Sequence, residues 1–182
     1  FIKDINLLPN KIDEFLSSVS VNKSIKEISK VIYRYTKKGK KIIYIGKEAL
    51  YGICKEAALK TQELFYVPIL AFSSGELKHG PIAILDKDTI AVILANSNKL
   101  FNKVSSAIEE ISVRKARIAL ISDKNHQRAD YFLNLSTLKE YSDFTIPIFY
   151  AIPIQLISYN VSLMMGNDVD KPRGLAKSVT VE

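Results

Sequence analysis

The stretch Ile90-Ala-Val-Ile-Leu-Ala95 decides the fold, because it contains six consecutive apolar residues and no charge. A short run that is apolar on both faces predicts a central strand of a parallel sheet. Similar apolar runs lie before it at 42–45 and 67–72, and after it at 117–121 and 131–135. The chain is therefore predicted to form five strands.

Segments with apolar residues at helical spacing separate or precede these strands. They predict helices at 11–20, 22–38 and 48–66, and another after Asn98, with Asn10 and Asn98 as capping residues. Alternating strands and helices predict an α/β fold, a doubly wound, mostly parallel five-stranded sheet with helices on both faces. Ligands in such sheets usually bind beyond the carboxyl ends of the strands.

The segment 144–167 contains 24 residues without a charge, which is long enough to span a membrane. Its polar residues and prolines, among them Pro147, Pro153 and Gln155, are poorly suited to face lipid. A buried helix is therefore the favoured interpretation, and no membrane association is expected. The residues from Asp168 onward lack periodicity and predict an irregular tail that other parts of the chain must hold in place.

The composition is typical of a soluble globular protein, with 47% hydrophobic and 25% charged residues. The formal net charge is +7, from 26 basic and 19 acidic residues, but only five of the basic residues are arginines. The one dense basic run, 37–41, falls between a predicted helix and a predicted strand, so a solvated loop is the favoured interpretation. We therefore expect no nucleic-acid partner.

The single cysteine, Cys54, excludes an intrachain disulfide and is compatible with a reducing, cytoplasmic location. It lies in an apolar-patterned segment, which favours a buried, inert thiol. The sequence has no zinc or calcium spacing, no P-loop and no Gly-x-Gly-x-x-Gly pattern, so neither a metal nor an organic cofactor is expected. A chain that begins at Phe1, without a signal-peptide pattern, fits a domain excised from a longer protein.

The stretch Ser73-Ser-Gly-Glu-Leu-Lys-His-Gly-Pro81 concentrates ionisable groups in one short segment. Gly75, Gly80 and Pro81 favour a tight loop or a single helical turn. His79 would titrate near neutral pH if unperturbed, which suits proton transfer. From the turn alone, a solvated charged loop is the favoured interpretation.

A second group of ionisable residues lies on the helix predicted for 48–66. Glu56, Lys60 and Glu63 follow each other at i, i+4 and i+7, so one helix face presents an acid, a base and an acid. Surface ion pairs worth about 0.3–0.5 kcal/mol each would explain the same spacing. A functional site is favoured because the chain end supplies Lys177 within a small, otherwise uncharged segment.

Two separated motifs carry a resemblance to a known family. The motifs are Gly75-Glu-Leu-Lys-His-Gly-Pro81 and the chain end Asp170-Lys-Pro-Arg-Gly-Leu-Ala-Lys-Ser-Val-Thr-Val-Glu182. Both closely resemble the sugar isomerase (SIS) half of the glucosamine-6-phosphate synthase family, the glutamine:fructose-6-phosphate aminotransferases. Family members carry a glutaminase domain followed by two SIS domains. The resemblance implies that 1–182 is a single domain, the second SIS domain, with 168–182 as an active-site tail.

Aldose–ketose isomerisation requires a group that opens the sugar ring, a base that moves a proton between adjacent carbons, and an electron sink at the carbonyl. His79, Glu63 and Lys177 are chemically suited to these three tasks. The resemblance implies the same roles, with Lys177 forming a Schiff base with open-chain fructose 6-phosphate. It also implies a product, glucosamine 6-phosphate, that serves amino sugar and cell wall precursor synthesis.

The resemblance further implies substrate contacts and a dimer. Lys60 is similar to the family lysine that holds substrate oxygens, and Ala176 lies where the tail backbone contacts substrate. Glu56, on the same helix face, is a further candidate substrate ligand. The family histidine reaches across from the neighbouring subunit, so a homodimer with His79 donated in trans is implied.

The chain departs from the family pattern in three places. Pro68-Ile69-Leu70 stands where His-Ala-Glu is common, which removes two polar groups near the site. Glu56-Ala57-Ala58 replaces Glu-Gly-Ala, a change that improves helix propensity. The Ser/Thr-rich phosphate loop of the first SIS domain is absent; 73–75 could bind an anion at a helix N-terminus, although a capping role is favoured.

Two other functions stay open at this stage. One is a noncatalytic sugar-phosphate-binding module that regulates a partner, and the other is a phosphosugar isomerase that uses no ammonia. The second is kept open by the substitution at 68–70. The isolated chain is expected to be a poor catalyst, because it lacks the phosphate pocket and the ammonia source.

Overall fold

A computed structural model describes residues 2–97, 100–136 and 141–174, and its strands form one parallel sheet. The strands are β1 (Lys41–Gly46), β2 (Leu70–Ser73), β3 (Thr89–Ala95), β4 (Arg117–Ser122) and β5 (Tyr131–Asn134). Their order across the sheet is β2-β1-β3-β4-β5, and every neighbouring pair is parallel. The predicted five-stranded, doubly wound α/β sheet is confirmed.

Five α-helices accompany the sheet in the described residues. They are α1 (Ile2–Ser17), α2 (Val19–Lys37), α3 (Ala49–Phe65), α4 (Phe101–Val113) and α5 (Ile146–Met165), and a 3-10 turn lies at Pro81–Ile84. Helix α4 begins at Phe101, and the proposed cap Asn98 lies outside the described residues.

The prediction for the first helix, 11–20 with Asn10 as its cap, is wrong. The helix begins at Ile2 and continues through Pro9 to Ser17. Leu8 is buried together with Phe15, so the apolar stripe of α1 extends back beyond the predicted start. The second strand also begins later than predicted, at Leu70, which places Pro68 before an edge strand.

The alternation of side chains along the strands creates two cores. On the first face of the sheet, Ile42 and Tyr44 join a cluster with α1, α2, α3 and α5. On the second face, Ile43 and Ile45 join a cluster with α4 and with Leu77 from the turn after β2. The two faces are therefore covered unequally, and the turn after β2 substitutes for a helix on the second face.

Helix α5 is long and apolar enough to cross a membrane by length and composition. It lies between α2 and α3, and nine of its residues are buried. The buried Phe149 ring meets Phe15 of α1 edge to face, with ring centroids 5.0 Å apart, and the Tyr150 hydroxyl donates a hydrogen bond to the Ala95 carbonyl. These contacts agree with the prediction of a buried helix.

Candidate active site

Helix α3 carries three of the predicted site residues and is held close to the end of β1. A Cβ atom at Gly46 would lie 2.7 Å from the Leu50 carbonyl oxygen and 2.8 Å from Cys54 Sγ. Only glycine therefore permits this approach of helix to strand. The helix then returns the chain from the carboxyl end of β1 to the amino end of β2, which is parallel to β1. Its last two turns lie toward the amino ends of the strands.

The three charged residues on α3 form a linked set. Lys60 Nζ lies 2.6 Å from Glu63 Oε2 and 3.8 Å from Glu56 Oε1. The hydrogen bond to Glu63 raises the pKa of Lys60 above its ordinary value, and the charges of Glu63 and Glu56 act in the same direction. The Glu63 side chain is 21% exposed, against 42% for Glu56. The structure thus brings together the acid, base and acid predicted from their spacing.

The tail returns to the C-terminal end of α3, next to this set. The Asn167 side-chain amide donates to the Leu64 carbonyl at 2.7 Å. The Arg173 backbone N–H donates to the Tyr66 hydroxyl at 3.0 Å, and the Arg173 guanidinium lies over the Tyr66 ring, 4.1 Å from its centroid. The prediction of a tail held by contacts is confirmed as far as Arg173.

Lys177 and Ala176 lie outside the described residues. Lys177 follows Arg173 by four positions in the sequence, and Arg173 lies on Tyr66, three positions after Glu63.

The turn after β2 packs against the second face of the sheet and exposes its charged groups. Leu77 is fully buried in the second core, and the Ser74 backbone N–H donates to the Gly46 carbonyl at 2.8 Å. Lys78 Nζ forms an ion pair with Glu110 of α4 at 2.8 Å. His79 Nδ1 lies 2.9 Å from Glu76 Oε2, and the His79 side chain is 70% exposed. The turn is therefore packed against the sheet while its imidazole stays accessible to solvent.

The backbone of this turn bears on its predicted roles. Gly80 has a positive φ of 127° and Gly75 does not, so a backbone conformation that favours glycine occurs at only one end of the turn. Residues 74–80 form turns rather than an α-helix, so 73–75 does not precede a helix N-terminus that could bind an anion.

The structure does not bring His79 together with Lys60 and Glu63 within one chain. The turn packs on the second face of the sheet through Leu77, whereas α3 packs on the first face. Among the described residues, His79 hydrogen-bonds Glu76, and Lys60 forms ion pairs with Glu56 and Glu63. The sheet stands between the two groups.

The carboxyl edge of the sheet provides little room between described residues. Two cavities there, both bordered by Lys47 and Asn96, have volumes of about 30 and 10 Å³. Ligand pockets usually measure about 300–1,000 Å³, and one water needs about 10–15 Å³. These two cavities suit water and not a sugar phosphate, and the charged set on α3 lies away from this edge.

Sequence reasoning missed Tyr66 and Asn167, which anchor the tail. Tyr66 ends α3 in the left-handed conformation, with φ 58°. This conformation is most often adopted by glycine or asparagine, so the residue type of Tyr66 did not indicate that it ends the helix. Cys54 is buried as expected, and burial raises the pKa of its thiol, as befits an inert side chain.

Comparison with known proteins agrees with this architecture. A family model described as the SIS domain matches residues 35–165. The chain belongs to the SIS domain family. The match begins near the end of α2 and extends to the last residue of α5, so it includes the whole sheet and α3.

Individual relatives of the chain are more specific. The chain is 38% identical over 184 residues to the glutamine–fructose-6-phosphate aminotransferase (isomerizing) of Bartonella henselae, and the match covers 100% of the chain and 29% of that relative. The chain thus spans less than a third of the relative's length. Its sequence matches the C-terminal isomerase part of such proteins.

Two solved structures have the same fold. The C-terminal domain of glucosamine-fructose-6-phosphate aminotransferase from Francisella tularensis superposes with a TM-score of 0.71 at 32% identity, covering 83% of the chain described here and 43% of its own. Tagatose-6-phosphate ketose/aldose isomerase from Escherichia coli superposes with a TM-score of 0.66 at 23% identity, covering 75% and 39%. The second similarity concerns the fold alone.

Proposed function

We propose that this SIS domain is the second SIS domain of an enzyme that converts fructose 6-phosphate and glutamine-derived ammonia to glucosamine 6-phosphate. The glutaminase domain and the first SIS domain would belong to the same longer chain, and the enzyme would be cytoplasmic and supply amino sugar precursors. The observation that carries the proposal is the anchoring of Arg173 on Tyr66. It starts the tail that bears Lys177 beside the end of α3 that bears Glu63.

The charges on α3 support a division of roles between the two lysines. Because the hydrogen bond to Glu63 raises the pKa of Lys60, this lysine stays protonated near neutral pH. A protonated ammonium can hold substrate oxygens but cannot attack a carbonyl. The Schiff base therefore falls to Lys177, whose amine would add to the C2 carbonyl of open-chain fructose 6-phosphate with loss of water. Ala176 would contact the substrate through its backbone.

Glu63 is the proposed base that moves a proton between adjacent carbons of the substrate. It is the less exposed of the two carboxylates on this face of α3 and already hydrogen-bonds Lys60. The protonated Lys60 would hold the Glu63 carboxylate and the substrate oxygens in one arrangement. Glu56, whose Oε1 lies 3.8 Å from Lys60 Nζ, would be a further substrate ligand.

His79 is proposed to open the sugar ring in the site of a second subunit. The His79 side chain is 70% exposed. Its turn packs through Leu77 on the face of the sheet opposite to α3. A partner subunit is the arrangement that would bring this imidazole to a Glu63 carboxylate. We therefore propose a homodimer whose active sites each take His79 from the other subunit.

The test uses the complete protein with three variants. In Lys177→Arg, glucosamine 6-phosphate synthesis from fructose 6-phosphate and glutamine should disappear while glutamine hydrolysis remains. In Glu63→Gln, synthesis should fall by about 10²–10⁴-fold, the usual contribution of a general base. Glu27→Gln on the exposed side of α2 is the charge-matched control. Full synthesis by Lys177→Arg would refute the proposed role of Lys177.

A mixed-dimer experiment tests the donation of His79. Glu63→Gln and His79→Gln subunits are each expected to form inactive dimers. If His79 acts in trans, a mixed dimer contains one site with both native residues and regains activity. If it acts in cis, every site lacks one of them, and mixing restores nothing.

A phosphosugar isomerase that uses no ammonia is the second candidate. It is favoured by 68–70, where Pro68 and Leu70 replace the family's two polar residues and Leu70 begins β2 with 51% of its surface exposed. Ammonia-dependent product would exclude it. A third outcome would be unchanged rates in Glu63→Gln with phosphosugars still raising Tm, which would favour a noncatalytic binding module.

A further inference from the structure

A cavity of about 230 Å³ lies beside the last turns of α2, where β1, β4 and β5 begin. Helix α5 separates α2 from α3, so this cavity is distinct from the charged set around Lys60. Its lining contains four cations, two tyrosines and no acidic residue among the described side chains. They are Arg34, Lys38, Lys40, Arg117, Tyr35 and Tyr131.

The cations of this cavity are only partly neutralised. Lys40 Nζ pairs with Asp88 Oδ1 at 2.6 Å, and Arg117 pairs with Asp130. Arg34 and Lys38 form no ion pair with any residue in the described ranges. Four cations and two aspartates leave a formal charge of +2 around the cavity.

Arg34 is oriented by its own helix. Its Nε atom donates to the Lys30 carbonyl at 3.3 Å, and this bond leaves the two terminal nitrogens of the guanidinium available. The planar guanidinium suits bidentate binding of phosphate or carboxylate oxygens. Lys38, the first residue after α2, adds an ammonium charge without a competing carboxylate among the described residues.

The two tyrosines add apolar surface and further donors. Both are half-buried, and both pack against the first core. Burial raises the pKa of Tyr35, so its hydroxyl stays protonated and able to donate. Neither hydroxyl has a hydrogen-bond partner within the described part of the chain. Lys40 Nζ lies 5.4 Å from the Tyr35 ring centroid, so charge and ring are adjacent.

We propose that this cavity binds a small organic phosphate dianion. The phosphate would lie against Arg34 and Lys38, where positive charge is not neutralised, and the carbon skeleton would lie on the tyrosine rings and the buried Val31. The formal charge of +2 matches the two negative charges of a phosphate monoester near neutral pH. Two of these cations, Lys38 and Lys40, belong to the basic run 37–41, for which a solvated loop was predicted.

The experiment measures binding of three probes to the protein by calorimetry and by NMR of tyrosine ring signals. The probes are phenyl phosphate, inorganic phosphate and fructose 6-phosphate. Phenyl phosphate should bind more tightly than inorganic phosphate and shift the ring signals of Tyr35 and Tyr131, which are assigned with Tyr35→Phe and Tyr131→Phe. Tighter binding of fructose 6-phosphate at these same rings would also support the proposal and identify the ligand as a phosphosugar.

Matched variants separate a specific site from general attraction to a basic surface. Arg34→Gln should weaken phenyl phosphate binding about tenfold, the effect of losing one charge-assisted hydrogen bond. Lys37→Gln removes the same charge from the same helix at an exposed position that does not line the cavity. Unliganded Tm should not differ between the two variants, because neither residue forms an ion pair in the described ranges.

Three results would overturn the proposal. The first is no shift of either tyrosine signal with any probe. The second is equal weakening by Arg34→Gln and Lys37→Gln, which would indicate nonspecific attraction. The third is equal affinity for phenyl phosphate and inorganic phosphate, because the carbon skeleton would then make no contact with the cavity.

Discussion

Arg173 lies on the ring of Tyr66, with its guanidinium carbon 4.1 Å from the ring centroid, and its backbone N–H donates to the Tyr66 hydroxyl at 3.0 Å. These residues are 107 positions apart. The pair joins the end of α3 to the tail, and thereby joins the two segments that carry Glu63 and Lys177.

The first prediction concerns this anchor. Tyr66→Leu removes both the ring and the hydroxyl, and the free energy of unfolding should fall by about 1 kcal/mol. Amide exchange of residues 168–174 should accelerate by more than that of β3. Tyr66→Phe is the control, because it keeps the ring and should show a smaller effect. Unchanged exchange at 168–174 in Tyr66→Leu would mean that the anchor does not hold the tail.

The strands could be predicted from the sequence because each is a short, mainly apolar run. Such a run indicates a buried strand even when the elements that pack against it are unknown. The central strand, predicted at 90–95, is observed at Thr89–Ala95. The start of α1 could not be predicted, because Asp4 accepts hydrogen bonds from Ser142 and Thr145, residues distant in the sequence. Such contacts leave no mark in local periodicity.

The candidate site was predictable only in part. The spacing of Lys60 and Glu63 on one helix face determined their contact, because neighbours at i and i+3 meet on any α-helix. The position of His79 on the opposite face of the sheet follows instead from the burial of Leu77, which depends on the packing of the whole sheet. The contacts of the basic run 37–41 could not be predicted for the same reason, since Lys40 pairs with Asp88, a distant residue just before β3.

The second prediction compares Gly46, the last residue of β1, with Gly52, inside α3. Gly46→Ala places a Cβ within 2.8 Å of Leu50 and Cys54, and repacking should cost about 1–3 kcal/mol of stability. Gly52→Ala, within α3, meets no atom within 4 Å and should stabilise the protein by about 0.5–1 kcal/mol through helix propensity. Urea unfolding of both variants gives the comparison. Equal stability of the two would contradict the close approach at Gly46.

The third prediction uses the pH dependence of the Asp4 contact. The backbone hydrogen bond from Ser142 lowers the pKa of Asp4 below its ordinary value. A carboxyl whose pKa is lower in the folded state stabilises the protein above its unfolded pKa, and this contribution is lost as pH falls through the lowered value. Asp4→Asn should therefore reduce stability near neutral pH, and its difference from wild type should shrink in acid. Asp13→Asn, an exposed change on the same helix, is the control. A difference that grew in acid would contradict the assignment.

The fourth prediction concerns a buried hydroxyl pair beneath α3. Thr61 Oγ1 donates to the Ala57 carbonyl at 2.6 Å, so the Tyr44 hydroxyl, 3.0 Å away, must be the donor to Thr61. Burial raises the pKa of Tyr44 to about 12, so this donor stays protonated.

Because Tyr44 is the donor in this hydrogen bond, Thr61→Val and Tyr44→Phe should differ in their cost to stability. Thr61→Val leaves the fully buried Tyr44 hydroxyl without an acceptor and should cost about 1–3 kcal/mol. Tyr44→Phe leaves Thr61 bonded to Ala57 and should cost about 0.5–1.5 kcal/mol. In Tyr44→Phe/Thr61→Val no hydroxyl is left unpaired, so the double variant should lose less stability than the sum of the single variants. Chemical unfolding of all four proteins measures this coupling. Strict additivity would show that the Tyr44 hydroxyl does not depend on Thr61 for its partner.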